Sequence, residues 1–148
     1  MRKAVRAIVI HDDQILVMHR NKFGEEYDTL PGGNIELGET AEQALYREVE
    51  EETMVVFQNP KFVALEHSGD PYGDQYIYLC EYVSGEPQLR PDAEEQAINQ
   101  MGKNLYNPAW LKLDELASRP FLSQNLKNFI LQSVKEGWPT SAVEITTN

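Results

Sequence analysis

The chain has 148 residues, of which 41% are hydrophobic and 25% are charged, so it is large enough to form one globular domain with a sizeable core. Its formal net charge of -11 argues against general binding to nucleic acid polymers or anionic membranes, which requires clustered lysines and arginines. No stretch is long and apolar enough to span a membrane. The short apolar run at residues 7–10 predicts a strand rather than a signal peptide, which makes the cytoplasm the default location.

The first third of the chain is predicted to contain a hairpin, a loop and a glycine turn. Residues 5–10 and 14–19 have the composition of strands and are joined by a turn that contains two aspartates. Residues 21–26 are mostly polar and predict a loop. Residues 27–30 predict a short extended segment that ends at Pro31-Gly32-Gly33.

A helix is predicted to begin at Thr40, because Thr40 and Gln43 form a capping-box pattern. Apolar side chains at helical spacing then supply a face for burial, namely Ala41, Ala44, Leu45 and Val49. The helix is expected to extend to about Thr53.

The remainder of the chain is predicted to contain strands followed by helices. Strands are expected at residues 55–57, 62–66, 75–83 and 106–113. Helices are expected at residues 113–117 and 122–135, and residues 90–100 predict a loop with a helical turn. We assign residues 1–138 to a single domain and residues 139–148 to a C-terminal tail that is either disordered or an added edge strand. This order of elements predicts a mixed sheet with helices packed on it.

Seven glutamates lie within residues 36–52, in and just before the predicted helix. The ordinary interpretation of such a run is a solvated acidic helix face. However, Glu48 lies beside Glu51 and Glu52 at the i+3 and i+4 positions, and like charges at these spacings destabilise a helix. Arg47, the only cation of the helix, can reach Glu51 but cannot neutralise three carboxylates. The spacing therefore favours a functional carboxylate patch.

Clustered carboxylates supply the hard oxygen ligands that bind Mg²⁺ or Mn²⁺. Mg²⁺ typically uses one or two protein carboxylates, keeps waters and completes its shell with substrate phosphates, so the patch suits a metal-bound phosphate ester. Gly32 and Gly33 precede the helix and lack a Cβ, so their backbone can approach a ligand closely. The main-chain carbonyl of Gly32 is therefore a candidate for an additional metal ligand.

The same segment resembles the Nudix box of the MutT-like Nudix hydrolase family, whose pattern is G-x5-E-x7-R-E-U-x-E-E-x-G-U with U an aliphatic residue. The matching residues are Gly33, Glu39, Arg47, Glu48, Val49, Glu51, Glu52 and Val55. One position departs from the pattern, because Met54 stands where the family has a glycine. A left-handed residue often caps a helix there, and Met in that conformation would cost on the order of 1 kcal/mol. The resemblance covers roughly residues 5–135 and implies an α/β fold, the Nudix α/β/α sandwich around a mixed β-sheet.

The resemblance implies hydrolysis of a diphosphate bond in a nucleoside diphosphate linked to another moiety X, giving a nucleoside monophosphate and phospho-X. It implies Mg²⁺ or Mn²⁺ as the cofactor, with Glu48, Glu51 and Glu52 at the metal-ligand positions. Glu48 and Glu52 both stay open as the group that orients or deprotonates the attacking water. Arg47 is expected to orient the carboxylates, and Glu39 is expected to fix the preceding loop through Arg47. These roles define the predicted catalytic set: Glu48, Glu52, Arg47 and Glu39.

The candidates for substrate binding are Arg20, Gly33, Tyr72 and Glu95. Arg20 resembles a position that often faces substrate in the family, and Glu95, like Glu94, lies in a loop that often adds a carboxylate. Pro71 and Tyr72 match markers of ADP-ribose-cleaving and dinucleoside-polyphosphate-cleaving relatives, respectively, so they do not identify X, and they also fit an ordinary turn. The predicted partner is a small nucleoside diphosphate derivative, with no nucleic acid polymer and no membrane. The family often dimerises, which leaves a homodimer open.

Two other functions stay open on this fold. A non-catalytic Nudix-like module would bind a nucleotide and report it to a partner, but such a protein need not retain the box carboxylates that this chain has. A diphosphate isomerase would need a catalytic cysteine beside the site. Cys80 is the only cysteine, and its apolar surroundings predict a buried strand thiol instead.

Overall fold

A computed structural model describes residues 2–147, and its backbone is organised around an eight-stranded sheet. The strands, in chain order, are β1 (Lys3–His11), β2 (Gln14–Lys22), β3 (Glu25–Thr29), β4 (Gly32–Asn34), β5 (Val56–His67), β6 (Asp74–Ser84), β7 (Asn104–Lys112) and β8 (Val143–Thr146). The helices are α1 (Ala41–Thr53), α2 (Glu94–Gln100), α3 (Leu113–Leu116) and α4 (Gln124–Glu136). No helix within residues 2–147 is long and apolar enough to cross a membrane.

The sheet is mixed, which confirms the prediction made from the order of elements. Its strands follow the order β3-β2-β1-β6-β5-β8, and β4 pairs with β1 while β7 pairs with β2. β1 runs parallel to β6, and β5 runs parallel to β8. The remaining pairs are antiparallel.

Helices pack on both faces of the sheet, because side chains alternate across the central strand β1. Val5 and Val9 lie in one core cluster with α1, whose buried side chains are Ala44, Leu45 and Val49. Ile8 points to the opposite face, into a second cluster that includes Leu126 and Ile130 of α4. The predicted α/β/α sandwich is therefore confirmed.

The opening hairpin is confirmed, but the predicted loop after it is wrong. Asp12 and Asp13 both have positive φ, of 50° and 61°. Positive φ at both central residues is typical of a two-residue hairpin turn, whose twist matches that of the two antiparallel strands. β2 then continues to Lys22 and turns at Phe23 and Gly24 into β3. β2 pairs with β3 and β7, and these ladders order a polar segment that the sequence alone predicts to be irregular.

Helix α1 begins and ends where the sequence predicts. The Gln43 amide donates to the Thr40 hydroxyl at 3.1 Å, and the Gln43 side chain accepts from the Thr40 amide at 2.9 Å. Met54 caps the other end in the left-handed conformation, with φ 57° and ψ 13°, and its amide donates to the Glu50 carbonyl. Met54 thus adopts the backbone conformation that glycine favours, and the strain expected at this position is present.

Several other segments differ in detail from their predictions. The two short strands expected at residues 55–57 and 62–66 form one strand, β5, whose pairing with β6 is irregular between Gln58 and Lys61. The glycine turn includes the short strand β4, which pairs with β1. Residues 90–100 contain helix α2. The segment assigned as a tail contains β8, which pairs with β5 as an added edge strand.

Candidate active site

A cavity of about 710 Å³, here called the carboxylate cavity, opens where strands β1, β2 and β4 meet helices α1 and α2. Its acidic lining residues are Glu36, Glu48, Glu51, Glu52, Asp92, Glu94 and Glu95. Its basic lining residues are Arg2, Arg6, Arg20, Arg47 and Arg90. The cavity therefore brings glutamates of the box, namely Glu48, Glu51 and Glu52, together with residues that lie far from the box in the chain.

Arg47 holds the Glu39 and Glu48 carboxylates in position. Its Nε and Nη2 donate to the two Glu39 oxygens at 2.7 and 2.9 Å, and its Nη1 donates to Glu48 Oε1 at 2.8 Å. The paired Arg47 and the backbone amide of Glu36 lower the pKa of Glu39 to about 2. Glu39 does not line the cavity, and its contacts correspond to the predicted role of fixing the loop through Arg47.

Both glycines of the turn make close approaches, Gly32 to backbone and Gly33 to a side chain. A Cβ at Gly33 would lie 2.6 Å from the carboxylate carbon of Glu48, so a larger residue would displace this glutamate. Gly32 has φ +150°, and a Cβ there would lie 1.9 Å from the carbonyl oxygen of Val5 in β1. The Gly32 amide donates to Glu52 Oε2 at 3.0 Å. The role of the Gly32 carbonyl as a metal ligand stays a prediction.

Glu52 is the most buried carboxylate of the cavity, with 7% of its surface exposed. Burial raises its pKa to about 8, opposed by the Gly32 amide and Arg6 and reinforced by Glu48 and Glu95. Burial also raises the pKa of Glu48, and Arg47 opposes this shift. An added cation would favour ionisation of both groups, because it would stabilise their charged forms.

Arg20 lines the cavity, as its predicted role in substrate binding requires. Its guanidinium lies 3.7 Å from the centroid of the Tyr106 ring. Its Nε donates to the Leu105 carbonyl at 3.2 Å, and its Nη2 donates to Asn104 Oδ1. Strand β7 therefore holds Arg20 by stacking and hydrogen bonding.

Sequence reasoning missed Arg2, Arg6 and Arg90 as cavity residues. Arg90 lies 3.6 Å from Glu51 and donates to Asp92 at 2.6 Å, so it joins α1 to the segment that leads into α2. Arg6 donates to Gln75 Oε1 at 3.1 Å and to the Leu30 carbonyl at 3.3 Å. A cation inside the apolar run of β1 is the signal that could have identified Arg6.

Glu94 and Glu95 lie in the first turn of α2 and both line the cavity. The sequence favours a solvated loop for them, but the structure brings Glu95 near enough to Glu48 and Glu52 to raise the pKa of each. Tyr72, by contrast, does not line the carboxylate cavity. Its side chain is 54% exposed and lines a neighbouring cavity.

Cys80 is a buried strand thiol, as predicted, with burial raising its pKa. It is not among the residues that line the carboxylate cavity, so the contact that an isomerase would need is missing from the described part of the chain.

Comparison with known proteins identifies the relatives of this chain. The family model described as "NUDIX domain" matches residues 1–132. The NAD-capped RNA hydrolase NudC of Yersinia enterocolitica is 32% identical over 108 residues, which are 73% of this chain and 37% of that protein. The same-named protein of Photobacterium profundum is 33% identical over 71% of this chain and 35% of its own length. The chain thus spans little more than a third of the curated relatives that it matches.

Solved structures share the fold. An ADP-ribose pyrophosphatase from Streptococcus suis superposes with a TM-score of 0.67 at 17% identity, covering 97% of this chain and 98% of that one. A NUDIX hydrolase from Nitrosomonas europaea superposes with a TM-score of 0.70 at 14% identity, covering 99% of this chain and 79% of that one. At these identities the likeness establishes the architecture alone.

Proposed function

The chain belongs to the NUDIX family, and from this membership we propose that it is a divalent-metal-dependent hydrolase that cleaves a diphosphate bond. Its substrate is a nucleoside diphosphate linked to another moiety X, and its products are a nucleoside monophosphate and phospho-X. The observation that carries the proposal is the carboxylate cavity, where the box glutamates lie beside arginines suited to an anionic substrate.

Mg²⁺ or Mn²⁺ would be held by Glu48, Glu51 and Glu52, with the Gly32 carbonyl as a further candidate ligand. When bound, the metal lowers the pKa of a water molecule and neutralises charge on the phosphoryl group. The donor set fits a hard cation because its side-chain donors are carboxylate oxygens. Within residues 2–147, no three acidic, histidine or cysteine side chains converge into a ready-made metal cage. One or two of the three glutamates would therefore contact a given Mg²⁺ ion, whose other ligands would come from water and substrate.

The chain's own residues would position the water and the diphosphate. Water attacks phosphorus, the new P–O bond replaces the bond to the bridging oxygen, and the leaving phosphate takes that electron pair. The proton of the water passes to Glu52 or Glu48. Arg47 keeps the Glu48 carboxylate oriented toward the cavity, so it is a positioning residue. Arg6 and Arg20 would offset the negative charge of the phosphates.

We assign the protein a small nucleoside diphosphate derivative rather than a nucleic acid polymer. The net charge of -11 supports this choice, because a polymer would need an extended basic surface. The NudC relatives are named as hydrolases of NAD-capped RNA, so NAD-capped RNA belongs in the assay beside NADH, ADP-ribose, dNTPs, dinucleoside polyphosphates and nucleotide sugars. Turnover of the capped RNA in preference to every small compound would contradict the assignment. The homodimer that the family resemblance leaves open stays a prediction, which sedimentation analysis would test.

The decisive test compares the wild type with Glu52→Gln and a matched control, Glu42→Gln, on the exposed side of the same helix. In saturating Mg²⁺, Glu52→Gln should lower kcat by at least about 100-fold, the usual weight of general-base and metal-held water contributions. Glu42→Gln should keep wild-type rates, and excess EDTA should abolish turnover. Near-wild-type rates for Glu52→Gln would refute the proposal. Failure to hydrolyse any compound, together with tight nucleotide binding, would favour the non-catalytic binding module. Comparing Glu48→Gln with Glu52→Gln at several pH values identifies the proton acceptor.

A further inference from the structure

A second cavity, of about 280 Å³, opens beside the carboxylate cavity, and Arg6 lines both. We call it the Glu66 cavity after its buried carboxylate. Leu122 and Leu126 give it an apolar wall, and Tyr72 lines it as well. It is smaller than the roughly 300–1,000 Å³ of sites for drug-sized ligands, so it suits a single ring system.

Glu66 has an acceptor that the protein does not use. Only 4% of its surface is exposed. Its Oε2 accepts from the Ser123 hydroxyl and, at 2.8 Å, from the Thr147 hydroxyl. Within residues 2–147, no hydrogen bond reaches its Oε1. Every fully buried side-chain oxygen in these residues has a hydrogen-bond partner, so Oε1 must be partly exposed. Oε1 is therefore reached from the cavity, where a ligand can satisfy it.

Apart from the exposed Asp70 and Tyr72, the other polar side chains of this cavity are hydrogen-bonded within the protein. Gln75 Oε1 accepts from Arg6, and Gln75 Nε2 donates to the Tyr72 carbonyl at 3.1 Å. The Ser123 hydroxyl donates to Glu66 and accepts from the Leu126 amide at 3.2 Å. Glu66 Oε1 is consequently the buried carboxylate oxygen that remains for a ligand, whereas the Asp70 carboxylate is exposed to solvent.

The ligand chemistry follows from these contacts. Apolar side chains favour the face of a flat ring, and a carboxylate oxygen requires an N–H or O–H donor at its edge. Adenine, cytosine and guanine each present an exocyclic amino group, and glutamate accepts from such a group on cytosine. Uracil and hypoxanthine have a carbonyl oxygen in place of the amino group of cytosine and adenine. The carboxylate would repel this oxygen, and only the neighbouring ring N–H would be left to donate to it.

We infer that the Glu66 cavity holds the nucleobase of the substrate and that Glu66 selects bases carrying an amino group. The inference rests on the proposed function, because it requires the diphosphate to lie in the carboxylate cavity on the other side of Arg6. Tyr72, which the sequence identified as a substrate-binding candidate, then contacts the base rather than the phosphates.

The test measures equilibrium binding of nucleoside monophosphates in the presence of Mg²⁺, so it needs no turnover. The matched probes are AMP against IMP and CMP against UMP, with ribose 5-phosphate as the base-free reference. The wild type should bind the amino-bearing member of each pair about 10- to 100-fold more tightly, the range expected for a hydrogen bond to a charged group. Glu66→Gln should reduce both ratios toward one, because an amide can accept from an amino group or donate to a carbonyl.

Controls separate this inference from folding and from the proposed reaction. Glu86→Gln, at an exposed position, should keep the wild-type ratios, and Tyr72→Ala should weaken all four nucleotides without affecting ribose 5-phosphate. Equal ratios in the wild type and Glu66→Gln, or an equal loss of ribose 5-phosphate binding, would overturn the inference. Glu52→Gln should retain the base ratios even where it abolishes hydrolysis. Failure of the proposed function would therefore appear in turnover, and failure of the base site would appear in these ratios.

Discussion

Replacement of Glu52 by glutamine should make the metal-free protein more stable at alkaline pH. Burial raises the pKa of Glu52 from its usual value near 4.5 to about 8. Between these values the folded protein keeps a proton that the unfolded chain releases. The contribution of Glu52 to stability is therefore fully present below pH 4.5 and decreases as pH rises toward 8. The slope approaches about 1.4 kcal/mol per pH unit within this window.

The glutamine side chain is neutral at every pH and keeps an oxygen that can accept from the Gly32 amide. The unfolding free energy of Glu52→Gln should therefore lack this pH dependence, and the variant should gain stability over the wild type by several kcal/mol at pH 8.5. Urea denaturation in EDTA, from pH 5 to pH 9, measures the difference. Glu42→Gln provides the control, because its carboxylate is exposed on the same helix.

Mg²⁺ should reverse the order of stability if Glu52 binds the metal. The cation would stabilise the ionised wild type more at pH 8.5 than at pH 6, since fewer protons must then be displaced. Glu52→Gln should gain little from Mg²⁺ at either pH. Parallel unfolding curves for wild type and variant across the pH range would refute the account of Glu52 as a buried carboxylate that is neutral without a cation.

Three further predictions concern a glycine of β4, the C-terminal end of α1 and the added strand. Gly33→Ala should lower kcat by at least about tenfold with a smaller effect on KM, since its methyl group would displace the Glu48 carboxylate, and unchanged kinetics would contradict the close approach. Met54→Gly should raise the unfolding free energy by up to about 1 kcal/mol without changing turnover, because it relieves a left-handed residue; a loss of stability in urea denaturation would contradict this. The pKa of His67 is raised, first by Glu144, so this ion pair should stabilise the fold below pH 6.5 and lose its effect as pH rises through the folded-state value. Glu144→Gln should therefore lower the thermal unfolding midpoint at pH 5.5 but not at pH 8.5, and equal losses at both would refute the pairing.

The parts of the fold that depend on local spacing could be predicted from the sequence. Helix α1 follows from its cap at Thr40 and from apolar residues that recur once per turn. The β1–β2 hairpin follows from two apolar segments and a turn of two aspartates. The polar continuation of β2 could not be predicted, because its order depends on hydrogen bonds to β3 and β7, and β7 lies more than 80 residues further along the chain.

The same division applies to the site. The sequence by itself determined that Glu48, Glu51 and Glu52 share a patch, because helix geometry sets the distance between residues three and four apart. Only the tertiary structure decided that Arg6 and Glu95 border this patch, since they come from β1 and α2. It also decided which carboxylate is buried, and hence has its pKa raised most, because desolvation depends on every atom packed around the group rather than on its neighbours in the chain.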